Sequence, residues 1–242
     1  MRRRLLAPAA LAIALSLFAL STASAAASGN YLGGAAGYDI SWPQCGGPYP
    51  GLPAGQFGIV GINGGRPYTM NPCFESEYRW AGSSGLQPTL YINLDYGETA
   101  DGPRSCAADD HGCLAYNYGF GAARFAFDAA WDETGGAASS VPVWWLDVEI
   151  MNVWSDNSDQ NAMVVLGAID YLKLQERTPG VYSTPYQWGT IVGGFAPDGV
   201  VGWVAGGYDE TDLGKCGQAL WGGGATVMFQ YLTGDFDQNI PC

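Results

Sequence analysis

The residues of this chain best placed to do chemistry are two acids one position apart. Asp147 and Glu149 lie in Val141-Pro142-Val143-Trp144-Trp145-Leu146-Asp147-Val148-Glu149-Ile150. β-Branched and aromatic residues bounded by Pro142 and by the polar run from Asn152 to Gln160 predict a buried strand. Residues two apart on a strand share a face, so both carboxyls emerge together from an apolar bed. Two carboxyls so close do not both ionise freely, and the pKa of one rises, which is what a general acid working near neutral pH requires. On these residues alone, a strand end whose acids meet solvent or a structural Arg is the commoner case for an isolated Asp-x-Glu.

The elements that would position the pair read as alternating strands and helices. Strands are predicted over Gly37 to Trp42 (Asp39 and Ser41 on one face), Phe57 to Asn63, and Pro88 to Leu94 (Tyr91, Asn93 and Asp95 on one side). Further strands are predicted at Gly180 to Ser183, Val200 to Ala205 and Thr226 to Tyr231. Helices are predicted over Cys73 to Ala81, Leu114 to Trp131 and Asp159 to Glu176, with a partly helical stretch from Pro185 to Val192. The tail, Asp235 to Asn239, reads as a polar segment that returns acids to the structure. Alternation of this kind points to βα units and a mostly parallel sheet, and apolar strands throughout point to a sheet covered on both faces. Roughly seven or eight strands in one domain favour an α/β fold, a single irregular TIM-like (β/α) barrel with its chemistry at the C-terminal strand ends.

Basic Arg2, Arg3 and Arg4, the apolar run from Leu5 to Leu20 and the small residues Ser21 to Ala25 predict a secretory signal peptide over residues 1–25. A short flexible lead-in over 26–36 and one domain over 37–242 would follow, with no membrane span after cleavage. Losing three arginines takes the net charge from −13 to −16, which disfavours nucleic acid and anionic lipid as partners. A neutral or partly cationic polymer such as a glycan remains compatible. Six cysteines in an exported chain imply three disulfides, with fifteen pairings possible in principle. Cys106 and Cys113 are near enough to close a small loop; Cys216 with Cys242 would tie down the C-terminus, and Cys45 with Cys73 would then pair. The spacings lack CxxC, and the one histidine, His111, falls in a polar loop, so neither a metal site nor a His-dependent nucleophile is expected. No cofactor is called for, and the expected state is a monomer.

A family resemblance is carried by six motifs in order. Gly37-Tyr38-Asp39-Ile40-Ser41 resembles the opening strand of the family 25 glycoside hydrolases, the secreted and phage muramidases. Asn71-Pro72-Cys73-Phe74 is similar to the start of the helix after their second strand, and Leu146-Asp147-Val148-Glu149 to their Asp-x-Glu strand. Gly180-Val181-Tyr182-Ser183 and Trp203-Val204-Ala205 resemble two later strands. Gln230-Tyr231 with Phe236-Asp237-Gln238-Asn239-Ile240 resembles the closing signature. The resemblance implies a secreted, disulfide-stabilised barrel that cleaves the β-1,4 link between N-acetylmuramic acid and N-acetylglucosamine in peptidoglycan. It implies Glu149 as general acid and an ionised Asp147 assisting a retaining mechanism in which the substrate's N-acetyl carbonyl is the nucleophile. Asp39 and Asp237 would complete the acid groove, with Tyr91, Asn93, Tyr182, Trp203 and Gln230 as substrate-binding residues. Two departures stand out. Tyr91-Ile92-Asn93 replaces the family's Tyr-His-Phe, and Asn63-Gly64-Gly65-Arg66 replaces a Lys-containing Glu-Gly turn. A non-catalytic glycan-binding protein on the same barrel, or a glycosidase for a different polysaccharide, is also open.

Overall fold

The computed structural model describes residues 36–242; the expected signal peptide, 1–25, and all but the last residue of the expected lead-in, 26–36, lie outside the described residues. Eight strands close into one barrel in sequence order: β1 (Gly37–Ile40), β2 (Phe57–Gly61), β3 (Thr89–Asn93), β4 (Val143–Asp147), β5 (Thr178–Ser183), β6 (Val201–Gly207), β7 (Ala225–Thr233) and β8 (Phe236–Pro241). Pairing is parallel from β1 through β7, and β8 runs antiparallel to both β7 and β1. The polar tail is thus the strand that closes the barrel. Asp237 and Asn239 point inward where the interior is polar, so the tail lacks the apolar signature that marks the other strands.

Helices follow β2 to β5: α1 (Phe74–Ala81), α2 (His111–Thr134), α3 (Ser158–Leu174) and α4 (Pro185–Val192). α2, α3 and α4 each start where a side chain takes up a free backbone N–H, and α4 also has proline in its first turn, whereas α1 has no side-chain cap. Asp110 accepts from Cys113 N at 3.0 Å, so α2 begins at His111 rather than at Leu114, and His111 opens a helix instead of sitting in a loop. Asn157 caps α3, and Thr184 with Pro185 opens α4. The long helices α2 and α3 touch backbone to backbone: a Cβ on Gly119 would meet the Val164 carbonyl, and one on Gly167 the Tyr116 carbonyl. Between β6 and β7 a short 3-10 turn, Leu213–Gly217, replaces a helix, and Cys216–Cys242 pins it to the chain end. Cys45–Cys73 and Cys106–Cys113 complete the three disulfides, which are the expected pairs.

The period-two alternation of the strands sorts the apolar residues into two cores. Trp144, Leu146, Val148, Val60, Ile92 and Val181 face outward and pack under the helices. Phe57, Ile59, Val143, Trp145, Trp203 and Met228 fill the barrel interior. Gly180 makes room for the Trp145 ring, and Gly61 for that of Tyr91. This apolar plug closes the barrel below, so the polar inward residues at the C-terminal strand ends sit on a solid floor. Among the described residues no helix is long and apolar enough to cross a membrane.

Candidate active site

The plug stops one residue pair short of the strand ends, and there the inward side chains change character. On β4 the series Val143, Trp145, Asp147 continues to Glu149 just past the strand. Register places Asn93 beside Asp147 and Tyr182 on its other side, while Asp39 and Asp237 are cross-strand partners. A cavity of about 400 Å³ opens there, and Asp39, Tyr91, Asn93, Asp147, Glu149, Tyr182, Trp203, Gln230 and Asp237 all line it. All nine residues singled out in the sequence therefore converge, although they come from seven strands and span two hundred positions. Larger and comparable clefts lie elsewhere, at the N-termini of α2 and α3 and beside α2, but neither contains any of these residues.

Glu149 is held from two sides. Trp154 Nε1 donates to its carbonyl at 2.8 Å. Gln187, set in the first turn of α4, accepts from Ile150 N at 2.7 Å, and its side chain favours the charged form of the Glu149 carboxyl against burial. Asp147 lies deeper, at 5% exposure, and takes a hydrogen bond on Oδ2 from Asn93 Nδ2. Its Oδ1 is buried with no hydrogen-bond partner, and the Glu149 carboxyl is the nearest-acting charge on it. Two carboxyls this close disfavour a second negative charge on the pair.

Asp39 Oδ1 accepts from Gln230 Nε2 at 2.9 Å and Asn239 Nδ2 at 2.7 Å, while Tyr182 donates to Gln230 Oε1 at 2.6 Å. Gln230 is 7% exposed and spans two site residues. Trp203, 2% exposed, lies under Tyr182 with ring centroids 4.4 Å apart and forms the floor.

No Lys, Arg or His lines the cavity. Burial first, and then the Asp237 charge, push the Asp39 carboxyl up to about 7, against the pull of the Asn239 and Gln230 amides. Burial, followed by Glu149, raises Asp147 well above the aspartate range, with Asn93 opposing. Burial also raises Glu149 and Asp237. Asp147 is the deeper of the two, and burial is the main cause of the rise in both.

The sequence reading missed several residues. Trp42 and Pro43 form one bank of the cavity, and Met151 and Asn152 another. Trp42 is 48% exposed yet firmly seated: Gln44 Oε1 accepts from Ser41 N at 2.9 Å, Cys45 is disulfide-bonded to Cys73, and Gly65 leaves room for the indole. The signal available was Ser41, on the Asp39 face of the strand, with the aromatic immediately after it. Asn239 was detectable in the same way, two residues from Asp237. Among the described residues no group of three or more His, Cys, Asp or Glu is arranged to hold a metal ion.

No protein-family model matches this chain, and no curated protein matches it in sequence. Solved structures do match in fold. A bacterial lysozyme from Streptomyces coelicolor superposes with a TM-score of 0.54 at 16% identity, covering 86% of this chain and 92% of that one. The catalytic domain of endolysin ply40 from bacteriophage P40 of Listeria monocytogenes gives the same coverage, TM-score and identity. The modular Cpl-1 endolysin, solved with a peptidoglycan analogue, gives 0.52 at 18% identity, over 86% of this chain and 54% of its own. The barrel is thus one that lysozymes and endolysins use.

Proposed function

We propose that this chain is a diverged family 25 glycoside hydrolase, a secreted muramidase that cleaves the β-1,4 link after N-acetylmuramic acid in peptidoglycan. One observation carries the reading: four carboxyls converge on one cavity that no cation lines, and burial raises their pKa values. Such a pocket keeps an acid protonated near neutral pH and favours the positive charge that develops on a sugar ring during glycosidic cleavage. A pocket that only bound a neutral glycan would gain nothing from burying four acids at this electrostatic cost. The shared fold and the peptidoglycan analogue bound by one endolysin support the choice of substrate.

Glu149, on the open side of the pair and aimed by Gln187, protonates the leaving glycosidic oxygen. Asp147 then bears the charge and steadies the oxazolinium formed when the substrate's N-acetyl carbonyl attacks the anomeric carbon, so the configuration is retained. Asp39 and Asp237 face them across the cavity and hold hydrogen bonds to the sugar, Tyr91, Asn93 and Tyr182 line the walls, and Trp203 and Gln230 support the floor. Residues 1–25 direct export and are removed, leaving a monomer with three disulfides and no cofactor.

Purified mature protein and its Glu149→Gln variant, incubated with insoluble peptidoglycan, test this directly. Mass spectrometry should find fragments with reducing-end N-acetylmuramic acid from the wild type alone, with both proteins equally stable. Activity retained in the variant would remove Glu149 as the acid. Saturable binding to wall polymer without release by either protein would make the barrel a glycan-binding module.

A further inference from the structure

The third-strand and β2-turn departures are two residues in contact. β2 and β3 stop pairing through their backbones at Gly61 and Tyr91, after a last bond from Ile62 N to Tyr91 O. Beyond that point the chain turns away through Gly64 and Gly65, and the side chain of Asn63 takes over the ladder. Its Oδ1 accepts from Asn93 N at 3.2 Å and its Nδ2 donates to Asn93 O at 3.0 Å. A carboxamide has one donor and one acceptor on the same edge, as a backbone peptide pair does, so Asn63 extends β3 by one paired residue. Asn63 is 2% exposed, with its amide committed to this task. The residue so held, Asn93, donates from Nδ2 to Asp147 Oδ2.

That bond is the one feature of the pocket that favours charge on Asp147. The groups facing Asp147 are Glu149 from its own strand, Asp39 from β1, Asp237 from β8, Tyr91 from β3 and Tyr182 from β5, and no cation lines the cavity. Every other neighbour either repels a carboxylate or leaves it dry, and Asp147 Oδ1 has no N–H or O–H donor. An amide N–H on Oδ2 stabilises the ionised form.

We propose that Asn63 and Asn93 form a positioning pair for Asp147: Asn63 fixes the Asn93 backbone, and the Asn93 amide holds Asp147 as the carboxylate, leaving the proton of the acid pair to Glu149. The catalytic part of this proposal rests on the glycosidase reading above; the placement of the proton does not. The two asparagines replace the apolar third-strand residue and the Glu-Gly turn together, so the two departures constitute one rearrangement behind the acid pair.

A titration separates the two claims. The Asp147 carboxyl, labelled with ¹³C and assigned with Asp147→Asn, is followed by NMR from pH 3 to 10 in the mature wild type, Asn93→Ala, Asn63→Ala and the double variant. The macroscopic midpoint at Asp147 should rise by about one to two pH units in Asn93→Ala, the size a charge-assisted hydrogen bond supports. It should rise less in Asn63→Ala, and no further in the double variant than in Asn93→Ala, because Asn63 acts only through Asn93. On peptidoglycan, Asn93→Ala should lower kcat about ten- to hundredfold with KM within about threefold, and move the acid limb of kcat/KM to higher pH. Asn93→Ser serves in its place if the alanine variant fails to fold. An unmoved Asp147 midpoint in a folded variant overturns the proposal, as does a loss carried by KM with an unchanged pH profile. If the wild type cleaves nothing, the glycosidase reading fails while the NMR midpoint still decides the asparagine pair.

Discussion

Asp39→Asn probes the electrostatics of the acid pocket through stability, with no substrate needed. The introduced amide oxygen can accept the same two hydrogen bonds, from Gln230 at 2.9 Å and Asn239 at 2.7 Å, so the change removes charge and little else. In the folded protein the Asp39 carboxyl is raised from the ordinary 3.8 to about 7, with burial as the larger cause and Asp237 the next. The folded state therefore binds this proton more tightly than the unfolded chain does. Its contribution to stability is complete below about pH 4 and is lost as the pH climbs through about 7. A shift of about three pH units at about 1.4 kcal/mol each amounts to about 4 kcal/mol. That value is a ceiling, because one edge of Asp39 opens on the cavity and Asp237 relaxes when its neighbour is neutral. Relative to wild type, the variant should be nearly isoenergetic at pH 3.5 and gain steadily to pH 7.5. Above that it should stay ahead by up to about 4 kcal/mol, or about ten degrees in Tm for a barrel of this size. Urea unfolding or calorimetry across that pH range measures the difference. Parallel stability curves, or a variant that loses ground as the pH rises, would refute the reasoning that burial and Asp237 keep Asp39 protonated.

Two further substitutions test the scaffold and the groove. Gly167→Ala should cost about 2–4 kcal/mol in urea unfolding, because the new Cβ meets the Tyr116 carbonyl and the Phe120 amide, which are helix backbone and cannot swing aside; a loss below about 0.5 kcal/mol would mean that α2 and α3 separate easily. Trp42→Ala should raise KM for peptidoglycan about five- to thirtyfold with kcat within about threefold and stability unchanged, since a half-exposed indole on the cavity bank offers a flat face to a sugar ring. An unchanged KM there would remove Trp42 from the substrate path.

How much of this was legible in the sequence depends on whether the information is local. The Asp147/Glu149 strand announces itself, because β-branched and aromatic neighbours and a period of two put both acids on one face whatever surrounds them. Asp39 with Ser41, the alternation of strands and helices, and the short Cys106–Cys113 loop are local in the same sense. The polar tail was not legible as β8: inside a barrel whose C-terminal end is polar, an inward Asp237 and Asn239 erase the apolar face by which strands are recognised. The start of α2 at His111 was hidden because a cap is a single hydrogen bond, from Cys113 N to Asp110.

The sequence by itself determined which residues are acidic, that three of them fall at strand ends, and that the strands alternate with helices; those properties follow from residue type and period. Only the tertiary structure decided that nine residues from seven strands share one cavity, that no cation joins them, and that Asp147 lies deeper than Glu149. It alone made Gln230 a strut for Asp39 and Tyr182, and Asn63 a strut for Asn93. Depth, and with it the position of a proton, depends on every strand that closes over a side chain, and closure of the barrel is a property of the whole chain.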